Sequence, residues 1–146
     1  SIGINWAVNH MTDQASLIQL GGLCGQSRTA ALQQLQRQVK GQLQVIAGLD
    51  HLDDSRRDWL PQLQVSLRYD LNDCVQQVML NTRVTQPERY HATSEIKPQT
   101  LLADWRARGL PFLNLGGVLH SIAEGMSFCF EGQQLVQVVL AAPSSN

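Results

Sequence analysis

Residues 60–84 decide between two kinds of fold. Leu63, Val65, Leu67, Tyr69 and Leu71 alternate with polar residues, the period of a half-buried strand. Asn72-Asp73 could then turn the chain into a second strand, with Val78, Leu80, Thr82 and Val84 on one face. The same stretch carries a helical period through Leu60, Leu63, Leu67, Leu71, Cys74 and Val78, with Pro61 in the first turn. Nine positions fit the hairpin and six fit the helix, so the hairpin has the larger count and the helix stays as the alternative. A long helix here would make the fold mostly α.

The segment before it reads as a helix over residues 27–49. Ser27 is a plausible N-cap, and Leu32, Leu35, Val39, Leu43, Ile46 and Leu49 recur at steps of three and four. Much of the remaining surface of this segment is glutamine, and the whole chain has 18 Gln against four Glu. A face of neutral amides repels a copy of itself weakly, which favours association. Residues 13–20 read as a shorter helix ended by Gly21-Gly22, and Ile4, Trp6 and Val8 form an apolar patch near the start.

Towards the C-terminus, Pro98 to Arg108 reads as a helix with Leu101, Leu102 and Trp105 on one face and Gly109 at its end. "MSFCF" and "LVQVVLAA" flank "EGQQ", a hairpin signature. The polar stretch 85–98 connects the two parts, and no internal repeat is visible. The expected fold class is α+β: N-terminal amphipathic helices, then a small antiparallel sheet with one packed helix and a C-terminal β-hairpin. The 146 residues suit a single domain, with 1–58 mainly helical and 59–146 the α/β part.

Composition narrows the function classes. Eleven basic and 12 acidic residues give a net charge of −1, which leaves no electrostatic footprint for nucleic acid or an anionic membrane. No apolar run approaches the roughly 18 residues of a membrane span. The chain starts at Ser1, as a processed or excised product would, and the compartment stays open between cytoplasm and periplasm.

"GGLCGQSRTAAL", residues 21–32, invites a phosphate-loop reading, but Gln26 stands where the lysine is needed. Cys24 and Arg28 have three intervening residues, too few to wrap a phosphate between them. A thiol hydrolase would use Cys24 ahead of a helix N-terminus, Gln19 as oxyanion donor, His91 or His120 as base, and Asn114 or Asp104 to orient it. The plainer reading is a turn between helices, with Ser27 capping the second and Cys24 buried between them. The cysteines Cys24, Cys74 and Cys129 are too widely spaced for a zinc motif or a disulfide framework. "DHLDD", residues 50–54, reads as a charged helix start rather than a metal loop, with Arg56 and Arg57 as partners and Asp58 just beyond. No metal or cofactor is expected.

The leading functional expectation is a non-enzymatic protein–protein interaction module: an adaptor, chaperone or assembly subunit of a larger complex, working with a protein partner or a second copy. Its contact residues would be Leu32, Leu35, Val39, Leu43 and Ile46 on the amphipathic helix, joined by the apolar terminal strand. A helix leading into a small α/β domain is a layout shared with bacterial envelope assembly subunits, an analogy at the level of fold. A small-ligand sensing domain is the alternative, with an apolar pocket near residues 110–125 built from Trp105, Phe112, His120 and Ser121. The thiol hydrolase at Cys24 is the third reading.

Overall fold

The computed structural model describes residues 19–82 and 96–142. Helix α1 spans Arg28–Gln36. Four strands follow: β1 Ile46–Leu49, β2 Arg56–Leu60, β3 Val65–Tyr69 and β4 Val75–Asn81. Helix α2 spans Pro98–Ala107 and precedes β5 Leu113–Leu115, β6 Val118–Ser121, β7 Met126–Glu131 and β8 Gln134–Ala141. The eight strands form one antiparallel sheet in the order β1-β2-β3-β4-β8-β7-β6-β5. The fold is therefore α+β and richer in sheet than expected.

The chain makes the same object twice: a helix, then a four-stranded meander. The two meanders join where β4 lies antiparallel to β8. Met79 faces Val139 there, flanked symmetrically by Gln77 opposite Ala141 and Asn81 opposite Gln137. Each meander has a register shift at the same place, between Arg68 and Tyr69 in β3 and between Cys129 and Phe130 in β7. Ser66 and Ser127 occupy matching positions, as do Leu80 and Leu140. This corrects the expectation of no internal repeat. The repeat is hard to see in sequence because "VSLRY" and "MSFCF" share a β pattern and a single identity, the serine. The links also differ in length: Tyr69 pairs with Val75, but Phe130 pairs with Leu135.

Residues 61–84 resolve as the hairpin where they are described. Val65, Leu67, Tyr69, Val78 and Leu80 are buried, as strict alternation requires. The turn is built by Asp70, whose Oδ1 accepts from the amides of Asn72 and Cys74. Leu71 sits in that turn, fully exposed. Val84 lies outside the described residues, as do residues 1–18 (with most of the expected 13–20 helix), His91 and most of the 85–98 connection.

The helix expected over 27–49 ends at Gln36. Ser27 does cap it, its Oγ accepting from the Ala30 amide. The Gln36 side chain then turns the chain back: its Nε2 donates to Gly41 O at 2.7 Å and its Oε1 accepts from the Leu43 amide at 2.8 Å. Gln62 continues the job, accepting from the Gln44 amide and donating to Gln42 O. Gln36, one of the amides of the expected polar helix face, thus stands in for backbone partners in a loop, together with Gln62 from beyond that segment. Ile46 and Leu49 belong to β1, so the stripe is not a single face. The boundary at residue 58 falls inside β2, and "DHLDD" is the β1–β2 turn rather than a helix start.

Both helices lie on one face of the sheet. α1 buries Ala31 and Leu35 there; α2 buries Leu101, Asp104 and Trp105. The Trp105 ring packs 5.9 Å from Phe128 and 6.0 Å from Phe112. One hydrophobic cluster runs under both helices and across both meanders. Gly125 closes the β6–β7 turn with φ +66°, and an added Cβ would collide with the carbonyl of Ala141. Gly125→Ala is expected to destabilise by about 2 kcal/mol or more, read by urea denaturation.

Candidate interaction surface

Strand alternation gives the sheet a second face, on which no helix of the described residues packs. A single cross-strand row on it runs Ile46, Trp59, Ser66, Met79, Val139, Ser127, His120, Leu113. Arg57 lies across this face. Its Nη2 donates to Ser66 Oγ at 3.3 Å, and its Nη1 is 3.7 Å from Asp50 Oδ2. Arg57, Trp59, Ser66, Met79, Asn81, Val136 and Gln137 line a shallow groove of about 440 Å³. In the other half His120 Nδ1 and Ser127 Oγ are 2.6 Å apart.

The edges of the sheet are the more unusual feature. All residues of β1 and β5 are exposed. Of the exposed large apolar side chains among the described residues, Ile46 and Leu49 are in β1, and Leu113 and Leu115 are in β5. Leu52 and Ile122 sit in the turns nearest those edges. Neither edge strand carries a lysine, a proline or an inward charge, the usual devices that keep an edge from pairing.

On the helix side, a buried polar cluster locks α1 to the sheet. Asp58 is fully buried on β2. It accepts from Arg28 Nε at 2.8 Å and from the Tyr69 hydroxyl at 2.5 Å. The hydrogen bond to Asp58 raises the Arg28 guanidinium above its usual range, and burial, with the hydroxyl's own bond to Asp58, pushes Tyr69 well up.

The residues expected to form the interaction stripe are spread over three environments. Leu35 and Leu43 are in the core. Leu32 and Val39 pack against it half-buried. Leu32 and Leu43 line a shallow groove of about 740 Å³ between α1 and residues 42–45. Ile46 alone is on an edge, 52% exposed. The terminal strand is β8, paired on both sides by β4 and β7, so it offers no free edge. The expected ligand pocket is divided by the sheet. Trp105, Phe112 and Ser121 lie on the helix side, whereas His120 points to the open face because it falls between Leu119 and Ser121 in alternation. Sequence reasoning named Arg57 as a partner of the 50–54 carboxylates, and it does reach Asp50, but it set both Arg57 and Asp58 at a helix start rather than on a strand, and it missed the β5 edge. A lone aspartate within a strand pattern was the available signal for Asp58.

"GGLCGQSRTAAL" is the turn leading into α1, docked on β4 by Gly25 N to Val75 O and Val75 N to Gln26 O. The three cysteines are unpaired. Cys24 Sγ donates to Leu140 O, and burial raises its thiol pKa, the opposite of nucleophile activation. Cys24 is on the helix side and His120 on the open face; Asp104 is held by Arg108 at 2.9 Å. At pH 8, Cys24 is expected to alkylate more slowly than a free model thiol, read by mass spectrometry of peptides. A rate above the free thiol would contradict this placement.

Stability should fall at alkaline pH. Cys24 and Cys129 are raised above 9.0, and Tyr69 above 10.0. The unfolded chain releases these protons first, so folding binds protons and ΔG of unfolding declines as pH climbs past 9. Urea midpoints at pH 7, 9 and 10.5 check this, and Tyr69→Phe removes the part that begins at 10.

No protein-family model matches this chain, and no curated protein or solved structure does. Among the described residues, no cluster of three or more His, Cys, Asp or Glu is placed to hold a metal ion. No helix among them is long and apolar enough to cross a membrane.

Proposed function

We propose that this chain is a non-enzymatic interaction module, an adaptor or assembly subunit, whose contacts run through the two open edges of its sheet. The observation that carries this reading is the placement of the exposed apolar side chains. Six of the seven among the described residues lie on β1, β5 and the turns beside them, where unpaired backbone groups also face solvent; the seventh, Leu71, is in the β3–β4 turn. An added strand satisfies those groups and covers the side chains in one step. The surface differs from the one expected: the helix stripe is largely consumed by the core and β8 by the sheet centre.

The test is light scattering coupled to size exclusion on wild type and on edge variants. Ile46→Lys and Leu115→Lys each place a charge on an edge; Leu71→Lys places one on an exposed turn. Association that weakens with an edge charge and is unchanged by Leu71→Lys supports the reading. Association indifferent to all three contradicts it.

A small-ligand reading keeps one observation in its favour, the groove on the open face where the Arg57 cation meets Trp59 and Met79. A negatively charged, partly apolar molecule suits that lining. Native mass spectrometry showing extra mass that Arg57→Ala abolishes would move the function there.

A further inference from the structure

We infer that β5 pairs with β5 of a second copy of this chain, forming a two-fold dimer whose sheet continues from one copy into the other. This rests on the edge reading above and names the partner. Gly116-Gly117, with φ +52° and +89°, make a two-residue turn that pairs Leu115 with Val118. In such a hairpin the closing pair exchanges both hydrogen bonds. The pattern alternates, so Leu113 also bonds inward to His120, while the N–H and C=O of Asn114 point out to the free edge.

The edge is palindromic: Leu113, Asn114, Leu115. Turned about an axis through Asn114, it presents the same groups to itself. Asn114 of each copy then exchanges both backbone hydrogen bonds with its mate. Leu113 of one copy falls opposite Leu115 of the other, in the non-hydrogen-bonded pairs where side chains approach most closely. Both leucines lie on the open face, so the pairing gathers four of them into one patch.

Charge favours this edge over β1. No Lys, Arg, Asp or Glu occurs between Arg108 and Glu124, so two copies meet without like-charge repulsion. The β1 edge ends in a turn that carries Asp50, Asp53 and Asp54, and its sequence, Ile-Ala-Gly-Leu, is not self-complementary. A three-residue strand is short, so the dimer is weak and concentration-dependent.

Sedimentation velocity from about 10 μM to about 1 mM tests this. The expected result is a mass that rises from one chain to two and stops, is lost in Leu115→Lys, and is kept in Ile46→Lys. Leu115 is 65% exposed, so the lysine disturbs no core; far-UV circular dichroism checks the fold, and Leu113→Lys repeats the test at the paired position. A monomer at every concentration overturns the dimer, as does a mass that grows past two chains. Association lost in Ile46→Lys but kept in Leu115→Lys overturns the β5 pairing and leaves the edge reading standing. Association kept in both variants overturns both.

Discussion

Replacing Asp58 with alanine should lower stability by about 3 kcal/mol, the largest effect of any polar substitution in the α1 half. The Tyr69 hydroxyl would be left buried without an acceptor, which costs ~1–3 kcal/mol by itself. Arg28, whose side chain is 28% exposed, would lose the carboxylate but could still reach water, so its share is smaller. The anchoring of α1 on β2 and β3 would go with it. Asp58→Asn keeps the acceptor for Tyr69 and loses only the charge, so about half the effect is expected. Tyr69→Phe removes one bond and leaves Arg28 on Asp58, for about 1 kcal/mol. Urea denaturation of the three variants gives the order Ala, Asn, Phe; equal costs for all three would contradict the cluster's role.

The second large effect separates two residues that sequence periodicity put on one stripe. Leu35→Asp should prevent folding, because it places a carboxylate in a fully buried site with no partner, a cost of several kcal/mol. Ile46→Asp should fold normally and change stability by about 0.5 kcal/mol or less, because the side chain stands on an exposed edge. A continuous helix over 27–49 would make the two substitutions alike. Circular dichroism and thermal melting on both variants decide between the two structures.

The contrast shows what was legible. The hairpin from residue 65 to 81, α2 and the β7–β8 hairpin each carried a local period that burial then rewarded. The end of α1 was not legible, because the helical spacing of apolar residues runs on past it. Val39 and Leu43 do return to the core, but by a loop rather than a helix. What stops the helix is a side-chain clamp, Gln36 bonded to Gly41 and Leu43, and glutamine is an ordinary helix residue. β1 was hidden for the same reason, since Ile46 and Leu49 are three residues apart, a helical spacing, and in the strand they fall on opposite faces. The place of β8 at the centre of the sheet was beyond local reasoning. Its apolar run fits a buried strand, but its pairing with β4 joins segments far apart in the chain. The candidate edges were equally out of reach, because an edge is defined by what does not pair with it.

Amide hydrogen exchange at low and high protein concentration tests the central claim most directly. Slow exchange is expected in β4 and β8 at both concentrations, as befits central strands, and fast exchange at Asn114 in dilute solution that slows when the protein is concentrated. Fast exchange in β8, or an Asn114 amide indifferent to concentration while the protein associates, would contradict that claim.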